Sequence, residues 1–305
     1  MKKRILSSAV LLGTAFIWGI AFVAQVFGAR YLDPFTFNAS RFLLGGLALL
    51  PICFLFERKK VEKIEKRRTF LAALAGGGVL FLASLLQQFG IEMTENPGKA
   101  GFITGLYTVL TPILYFLFFR RRSGVLTWIG AVLAVVGLYL LCFDGQASFS
   151  FGLGELLLLI GAIFWALHII VVDTIARKCP PLHFSAGQFL VCGTLNLVIS
   201  FCLGEPSVTA ILQGMPAILF CGLLSTGVGY TGQTVGQRIS DSPTRAAILL
   251  STESVFSALG GLIWNATVRE SLHVEAAMNV YGVIGCAVIF AAILLSQVPP
   301  KKEHQ

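Results

Sequence analysis

DPFTFNASRFLLGG, residues 33–46, returns 147 residues later as PPLHFSAGQFLVCG, residues 180–193. The two align without a gap. Pro34 falls on Pro181, Phe37 on Phe184, Ala39 on Ala186, Phe42 on Phe189, Leu43 on Leu190 and Gly46 on Gly193. One charge, Arg41, interrupts the first copy, and Gln188 replaces it in the second. The similarity extends both ways. AFIWGIAFV at 15–23 resembles AIFWALHII at 162–170, with Trp18 on Trp165. NPGKAGFI at 96–103 aligns with SPTRAAIL at 242–249, shifted by 146, which sets Lys99 on Arg245; the same shift sets Gln87 on Gln233 and Gly90 on Gly236. WIGAVL at 128–133 meets VIGCAV at 283–288 with a shift of 155, so the segment NATVRESLHVEAAMN, 265–279, carries the extra length. The chain is one unit written twice, and the expected boundaries are 1–147 and 148–305.

The solvent of that unit follows from composition. Of 305 residues, 56% are hydrophobic and 12% charged, and the mean hydropathy is +0.82. Soluble domains carry about 25% charged residues, so bulk water is not the main solvent here. A membrane-crossing helix needs roughly 20 mostly apolar residues. Ten runs qualify: 5–27, 33–56, 70–93, 97–119, 124–143, 152–173, 183–203, 213–236, 243–264 and 277–298. The longest polar stretch, 57–68, leaves no room for a soluble catalytic domain. The reading is an all-α integral membrane protein of ten transmembrane helices. MKKR before an apolar run has the flavour of a cleaved signal. That run is too long, no small-x-small site follows it, and its Trp18 segment belongs to the repeat.

Ten spans put both ends on one side. Eighteen of the 23 Lys and Arg residues then share that side, among them Lys2, Lys3, Arg4, seven within 57–68 and Arg120–Arg122, against Arg30, Lys99 and Arg269 on the other. Such bias marks the cytoplasmic face, so both termini are expected in the cytoplasm of a multi-pass plasma (inner) membrane protein. The net charge of +8 is a topology signal divided among short loops, not a nucleic-acid surface. Five crossings per copy is an odd number, so the second copy must sit upside down. Inverted-topology repeats are a design of secondary transporters, with the substrate site near the midplane between the halves. Seven cysteines show no CxxC pair, and neither disulfide nor metal site is expected. GxxxxGK[ST], HExxH and GxSxG are absent from the sequence. ATP hydrolysis and metalloprotease or serine-hydrolase chemistry are therefore not expected, no cofactor is implied, and energy would come from an ion gradient or the substrate's own gradient.

WG in the first span, PFTFNASRF, KAGFITGLYTVLTPIL, and AAILLSTESVFSALGG followed by RESL resemble the EamA-like group of the drug/metabolite transporter (DMT) superfamily. The resemblance covers almost the whole chain. It implies a ten-helix bundle with a central cavity lined mainly by spans 1, 3, 4, 6, 8 and 9, the second span at the periphery, and transport of small metabolites, often export of amino acids or related compounds. Many members carry a GE pair after spans four and nine. Here RRRSG follows span four and WNATVRES extends the ninth.

The polar residues inside spans are the candidates for chemistry. An ionised carboxylate near the bilayer centre costs about 2.5–3.5 kcal/mol even on insertion scales. Glu253, ten residues into its span, is the deepest carboxylate and the candidate proton carrier if transport is proton-coupled; the alternative is a helix-packing partner. Arg41 is a candidate anion anchor through its bidentate fork, or a structural arginine stapling helices. Trp18, Phe22 and Gln25 share one helical face, as do Thr226, Tyr230, Gln233 and Gln237. With Gln87, Tyr107, Thr108, Trp165 and His168 they would form an aromatic wall with a few polar groups, suited to an amphipathic organic substrate. For each, ordinary packing is the competing role. The function expected is a secondary-active exporter of a small organic metabolite, with the lipid bilayer and possible coupling protons as its other partners. The alternatives are import of a vitamin- or nucleobase-like compound, or a non-transporting membrane sensor or enzyme.

Overall fold

Pro34 and Pro181 open equivalent helices, because proline at the first helical turn has its φ already set and gives up only an N–H that would be unpaired there. The computed structural model describes residues 2–57, 63–120, 124–142, 152–204, 206–267 and 280–297. In it those prolines begin α2 (Pro34–Glu57) and α8 (Pro181–Leu203). The first half also contains α1 (Lys2–Ala29), α3 (Lys63–Thr94), α4 (Pro97–Gly105), α5 (Tyr107–Phe119) and α6 (Val125–Cys142). The second contains α7 (Leu153–Thr174), α9 (Val208–Gln213), α10 (Met215–Leu219), a π-helical segment (Phe220–Tyr230), α11 (Thr231–Ile239), α12 (Pro243–Leu250), α13 (Glu253–Thr267) and α14 (Val280–Gln297). Among the described residues there is no strand. Eight helical stretches are long and apolar enough to cross a membrane. The apolar helices α6 and α14, 18 residues each, pack against one another. Most of the lengthened segment after span nine (268–279), Arg121, Arg122 and the terminal lysines lie outside the described residues.

Polar side chains are buried within the apolar interior, while large apolar side chains cover much of the outside. Arg41, Gln88, His168, Gln188 and Asn196 are buried, while Leu55, Phe56, Phe201 and Leu203 are largely exposed. Lipid tails are as apolar as leucine, so burial of greasy surface does not drive these helices together; close packing and interhelical hydrogen bonds must do so.

The repeated phrase makes one such contact twice. A Cβ on Gly46 would stand 2.9 Å from the Leu190 side chain, and one on Gly193 would stand 2.8 Å from Leu43. These are the same two positions in each copy, exchanged, which is the self-complementary contact of a two-fold. Their ends show that α2 and α8 run antiparallel. Asp33 caps α2, its Oδ1 accepting from the N–H groups of Phe35 and Thr36 at 3.0 Å, and Thr36 meets Ser200 near the end of α8 at 2.7 Å. Pro180 occupies the equivalent cap position of α8 and offers no side-chain acceptor. Glu57, from the end of α2, accepts instead from the N–H groups of Leu182 and His183 at 3.2 and 3.1 Å.

Two runs that read as continuous are interrupted at equivalent places. One breaks at Leu106, between α4 and α5; the other breaks at Ser251–Thr252, between α12 and α13. At the second break the hydroxyls of Ser251 and Thr252 turn back onto the carbonyls of Ile248 and Leu249, at 2.9 and 2.8 Å. Hydroxyls that bond their own backbone compete with the helix ladder.

Overfilling the crossing should unfold it. In Gly193→Ala the new methyl would also stand 2.9 Å from the backbone nitrogen of Leu43, against 3.3 Å from that of Leu190 for Gly46→Ala. We expect both to destabilise by about 1–3 kcal/mol, the usual cost of overpacking, with Gly193→Ala the worse. Thermal unfolding in detergent checks the order; equal, unchanged midpoints would contradict it.

Candidate functional site

The helix interruptions set two residues at the centre. Tyr107 is the first residue of α5 and Glu253 the first of α13, 146 apart and equivalent in the repeat. The N–H groups that follow Glu253 bond the carbonyls of Ser251 and Thr252, so the two interrupted segments stay connected across the break. Glu253 is 3% exposed and adjoins the Tyr107 phenol. Both face a central pocket lined by Trp18, Ala21, Phe22, Gln25, Arg41, Gln87, Thr104, Tyr107, Trp165, Ile169, Ser225, Tyr230, Gln233 and Glu253. The cavity itself is small, about 30 Å³. It is contracted around its aromatic rings.

Tyr230 is the hub of those rings. Trp18 lies 4.6 Å from it, centroid to centroid, and Trp165 stacks on it at 5.9 Å with planes 16° apart. Phe42 and Phe189, equivalent residues of the repeated phrase, meet it at 5.9 and 5.8 Å. The hub hangs from the π-helical segment. There α1 donates into the backbone: the Trp18 indole to the Ser225 carbonyl at 3.2 Å and the Thr14 hydroxyl to Gly229 at 3.3 Å. Wide i→i+5 turns occur at functional sites and shift the helical phase. That shift explains a difference from the sequence reading. An α-helical wheel puts Thr226 with Tyr230 and Gln233, but Thr226 points at Gly45 of α2, and Ser225 takes its place on the pocket. Gln237 instead donates to the Ile169 carbonyl at 3.0 Å.

Eight of the ten residues expected around a cavity converge on this one: Trp18, Phe22, Gln87, Tyr107, Trp165, Tyr230, Gln233 and Glu253. Thr108 and His168 stand behind it. Thr108 donates to the Ala247 carbonyl at 3.4 Å, joining α5 to α12. His168 pairs with Gln188 at 2.9 Å and presents its ring edgewise to Tyr230. Arg41 reaches the pocket from the second span, much of whose surface is exposed. It is 1% exposed and on the pocket wall, brought inward where α2 packs beside the π-helical segment. Its Nε donates to Asn38 Oδ1 at 2.8 Å, and Asn38 donates in turn to the Ser84 carbonyl of α3 at 3.2 Å. Asn38 escaped sequence reasoning, although its place one turn before a buried arginine is a legible signal. Among the described residues no group of three or more His, Cys, Asp or Glu could hold a metal.

Ion pairs join the helices at each end of the bundle. At one, Lys99 of α4 pairs with Glu155 of α7. At the other, Arg245 of α12 pairs with Asp241 at 2.8 Å and donates to Ser8 of α1 at 3.1 Å, while Arg4 pairs with Asp241 too. Lys99 and Arg245 are equivalent in the repeat, and the shift of 147 makes Glu155 equivalent to Ser8. Burial alone would raise the Asp241 carboxyl, but hydrogen bonds and charge from Arg4 and Arg245 outweigh it and hold it below the usual carboxylate range. A depressed carboxyl stabilises the fold above its ordinary pKa of about 3.9 and loses that contribution as pH falls through the folded value. Asp241→Asn should therefore be less stable than the parent at neutral pH, with the gap closing below about pH 4. Melting curves across pH test this, and a gap that persists in acid would rule it out.

The profile of the EamA-like transporter family matches residues 6–143 and again 152–298. An "Uncharacterized transporter" of Archaeoglobus fulgidus is 29% identical over 260 residues, covering 84% of this chain and 77% of the relative. The Bacillus subtilis "Uncharacterized transporter YwfM" is 25% identical over 99% of this chain and 97% of its own length. The Arabidopsis thaliana "WAT1-related protein At3g02690, chloroplastic" is 24% identical over 95% of this chain and 69% of its own. One solved structure, titled "Crystal structure of protein", superposes with a TM-score of 0.73 at 18% identity, covering 95% of this chain and 96% of the other; the likeness is one of fold.

Proposed function

The chain belongs to the EamA-like transporter family, and from that membership we propose that it exports small organic metabolites, amino acids or related compounds, by alternating access. It is a multi-pass membrane transporter and not an enzyme. In the proposed scheme, ten spans form two inverted five-span repeats, 1–147 and 148–305, in the plasma (inner) membrane with both termini cytoplasmic. The pocket around Tyr230 is the substrate site.

The observation that carries this reading is the pair of equivalent latches on either side of the pocket. Lys99–Glu155 ties α4 to α7, and Arg245–Ser8 ties α12 to α1. These are one contact repeated in two orientations, and opening either would admit solvent to the pocket from one side alone. Closing both leaves the contracted pocket seen here. An inverted repeat supplies this economically, since the two half-open forms exchange the same contacts between the halves. Glu253 is the proposed proton carrier. It is the carboxylate on the pocket wall, and it sits at a helix start whose position relative to Tyr107 depends on both interrupted spans.

Efflux from cells loaded with labelled amino acids tests the export reading. The parent should deplete at least one compound faster than a Glu253→Gln, Tyr230→Ala double variant, and identical efflux across broad panels would sink it. A separate measurement addresses coupling. In sealed vesicles, Glu253→Gln should abolish transport driven by a proton gradient while substrate exchange survives. Unchanged pH dependence in that variant would remove Glu253 from the mechanism.

A further inference from the structure

We propose that Arg41 reads a carboxylate, so that the compounds this pocket selects carry one carboxylate on an aromatic or amphipathic body. The inference rests on the pocket being the substrate site and names the chemistry it selects.

The argument begins with what Arg41 lacks. It is 1% exposed inside the bundle, where a guanidinium stays charged and is costly to hold. Among the described residues no carboxylate lies within ion-pair distance of it. Its neighbours are neutral: Asn38, and the rings of Phe42 and Phe37, 4.5 and 5.6 Å from the guanidinium carbon. One terminal nitrogen is buried without any hydrogen-bond partner. An arginine that stapled helices would direct its hydrogen bonds to a neighbouring helix. The Nε of Arg41 bonds Asn38, one turn back on its own helix, and Asn38 is the residue that reaches α3. The guanidinium is thus held by a partner that is itself anchored, on a residue of the pocket lining. A bound anion would complete that donor set with a charge-assisted, fork-shaped contact.

The pocket narrows the anion further. It offers one guanidinium and no second cation, which matches a single negative charge better than a phosphate dianion. The rest of the wall is aromatic, with Trp165 stacked on Tyr230, Trp18 tilted against it and Phe22 beside them, suited to a flat or apolar body. Arg41, Tyr230 and Glu253 line the same pocket, so a ligand on this ring would have the guanidinium and the carboxyl group within one site.

The test uses the full-length protein in detergent and two matched pairs that differ only in charge: phenylacetate against phenylacetamide, and phenylalanine against phenylalaninamide. Quenching of tryptophan fluorescence and thermal shift report binding. We expect at least one acid to bind about tenfold or more tightly than its amide, since an amide leaves the buried guanidinium uncompensated. Arg41→Gln should erase that preference, and Arg41→Lys should keep part of it. Equal binding of acid and amide in both pairs, binding of neither acid, or a preference unchanged in Arg41→Gln would each overturn the proposal. The acid–amide comparison on the unaltered chain stands even where the variant fails to fold. Flux in sealed vesicles separates this inference from the transport reading. Selective acid binding without flux would sink transport alone, and equal flux of acid and amide would sink the role of Arg41 alone.

Discussion

The crossing of α2 and α8 is the constraint on which the rest of the molecule depends. In lipid a helix pair gains little by hiding leucines from its surroundings, so affinity must come from close fit. Gly46 and Gly193 allow that approach, and each receives a leucine from the other copy. The caps follow from the same geometry. Because the helices run antiparallel, Glu57 arrives where α8 needs an acceptor and Asp33 serves α2. Phe42 and Phe189, each next to the leucine that makes the contact, then pack against Tyr230. Arg41 precedes Phe42, so the close crossing also determines where the buried charge lies.

A second layer of order comes from backbone that is not α-helical. In hydrocarbon every N–H and C=O must be satisfied within the protein, so interruptions persist where side chains serve them. Ser251 and Thr252 bond carbonyls at one break. Trp18 and Thr14 bond carbonyls of the π-helical segment. Each arrangement also serves the pocket: the break puts Glu253 at a helix start, and the indole that satisfies Ser225 is the one packed at a tilt against Tyr230, 4.6 Å between centroids. Backbone irregularity and pocket chemistry share the same atoms.

Much of this was legible in the sequence, and the exceptions have physical causes. The apolar runs and the 147-residue shift announced a membrane-embedded helical chain built twice, and the polar and aromatic residues inside those runs marked the pocket. Glu253 stood out because a carboxylate is costly in lipid, and Tyr107 and Tyr230 because aromatic groups with a polar tip suit a cavity wall. What failed was phase and depth. A wheel of 3.6 residues per turn misplaced Thr226, because nothing in FCGLLSTGVGY betrays the wider winding except its glycines. The sequence left Arg41 between an anion anchor and a helix staple; a peripheral second span and a buried arginine prove compatible, because this one side chain faces inward from a helix that is otherwise half exposed. His168 and Thr108 looked like pocket residues and are supports one layer back, a distinction that periodicity cannot draw because both layers lie on the inward face.

The two halves share a scaffold but not its chemistry. Where the first half has Arg41, the second has Gln188, which pairs with His168 instead of facing the pocket. Where one latch is a single ion pair to Glu155, the other reaches Ser8 and recruits Asp241 and Arg4. A fully symmetric repeat would make its two half-open forms equal in energy and its site indifferent to direction. Unequal latches tilt that balance, because each is broken in only one of the forms and the two differ in charge and exposure. The end closed by Asp241 is the more heavily tied, with two arginines on one carboxylate. In the proposed cycle, opening there must disrupt more interactions than opening at Lys99, and the resting balance leans toward access from the Lys99 side. An asymmetry of a few side chains on a symmetric frame is thus enough to give such a transporter a preferred resting orientation.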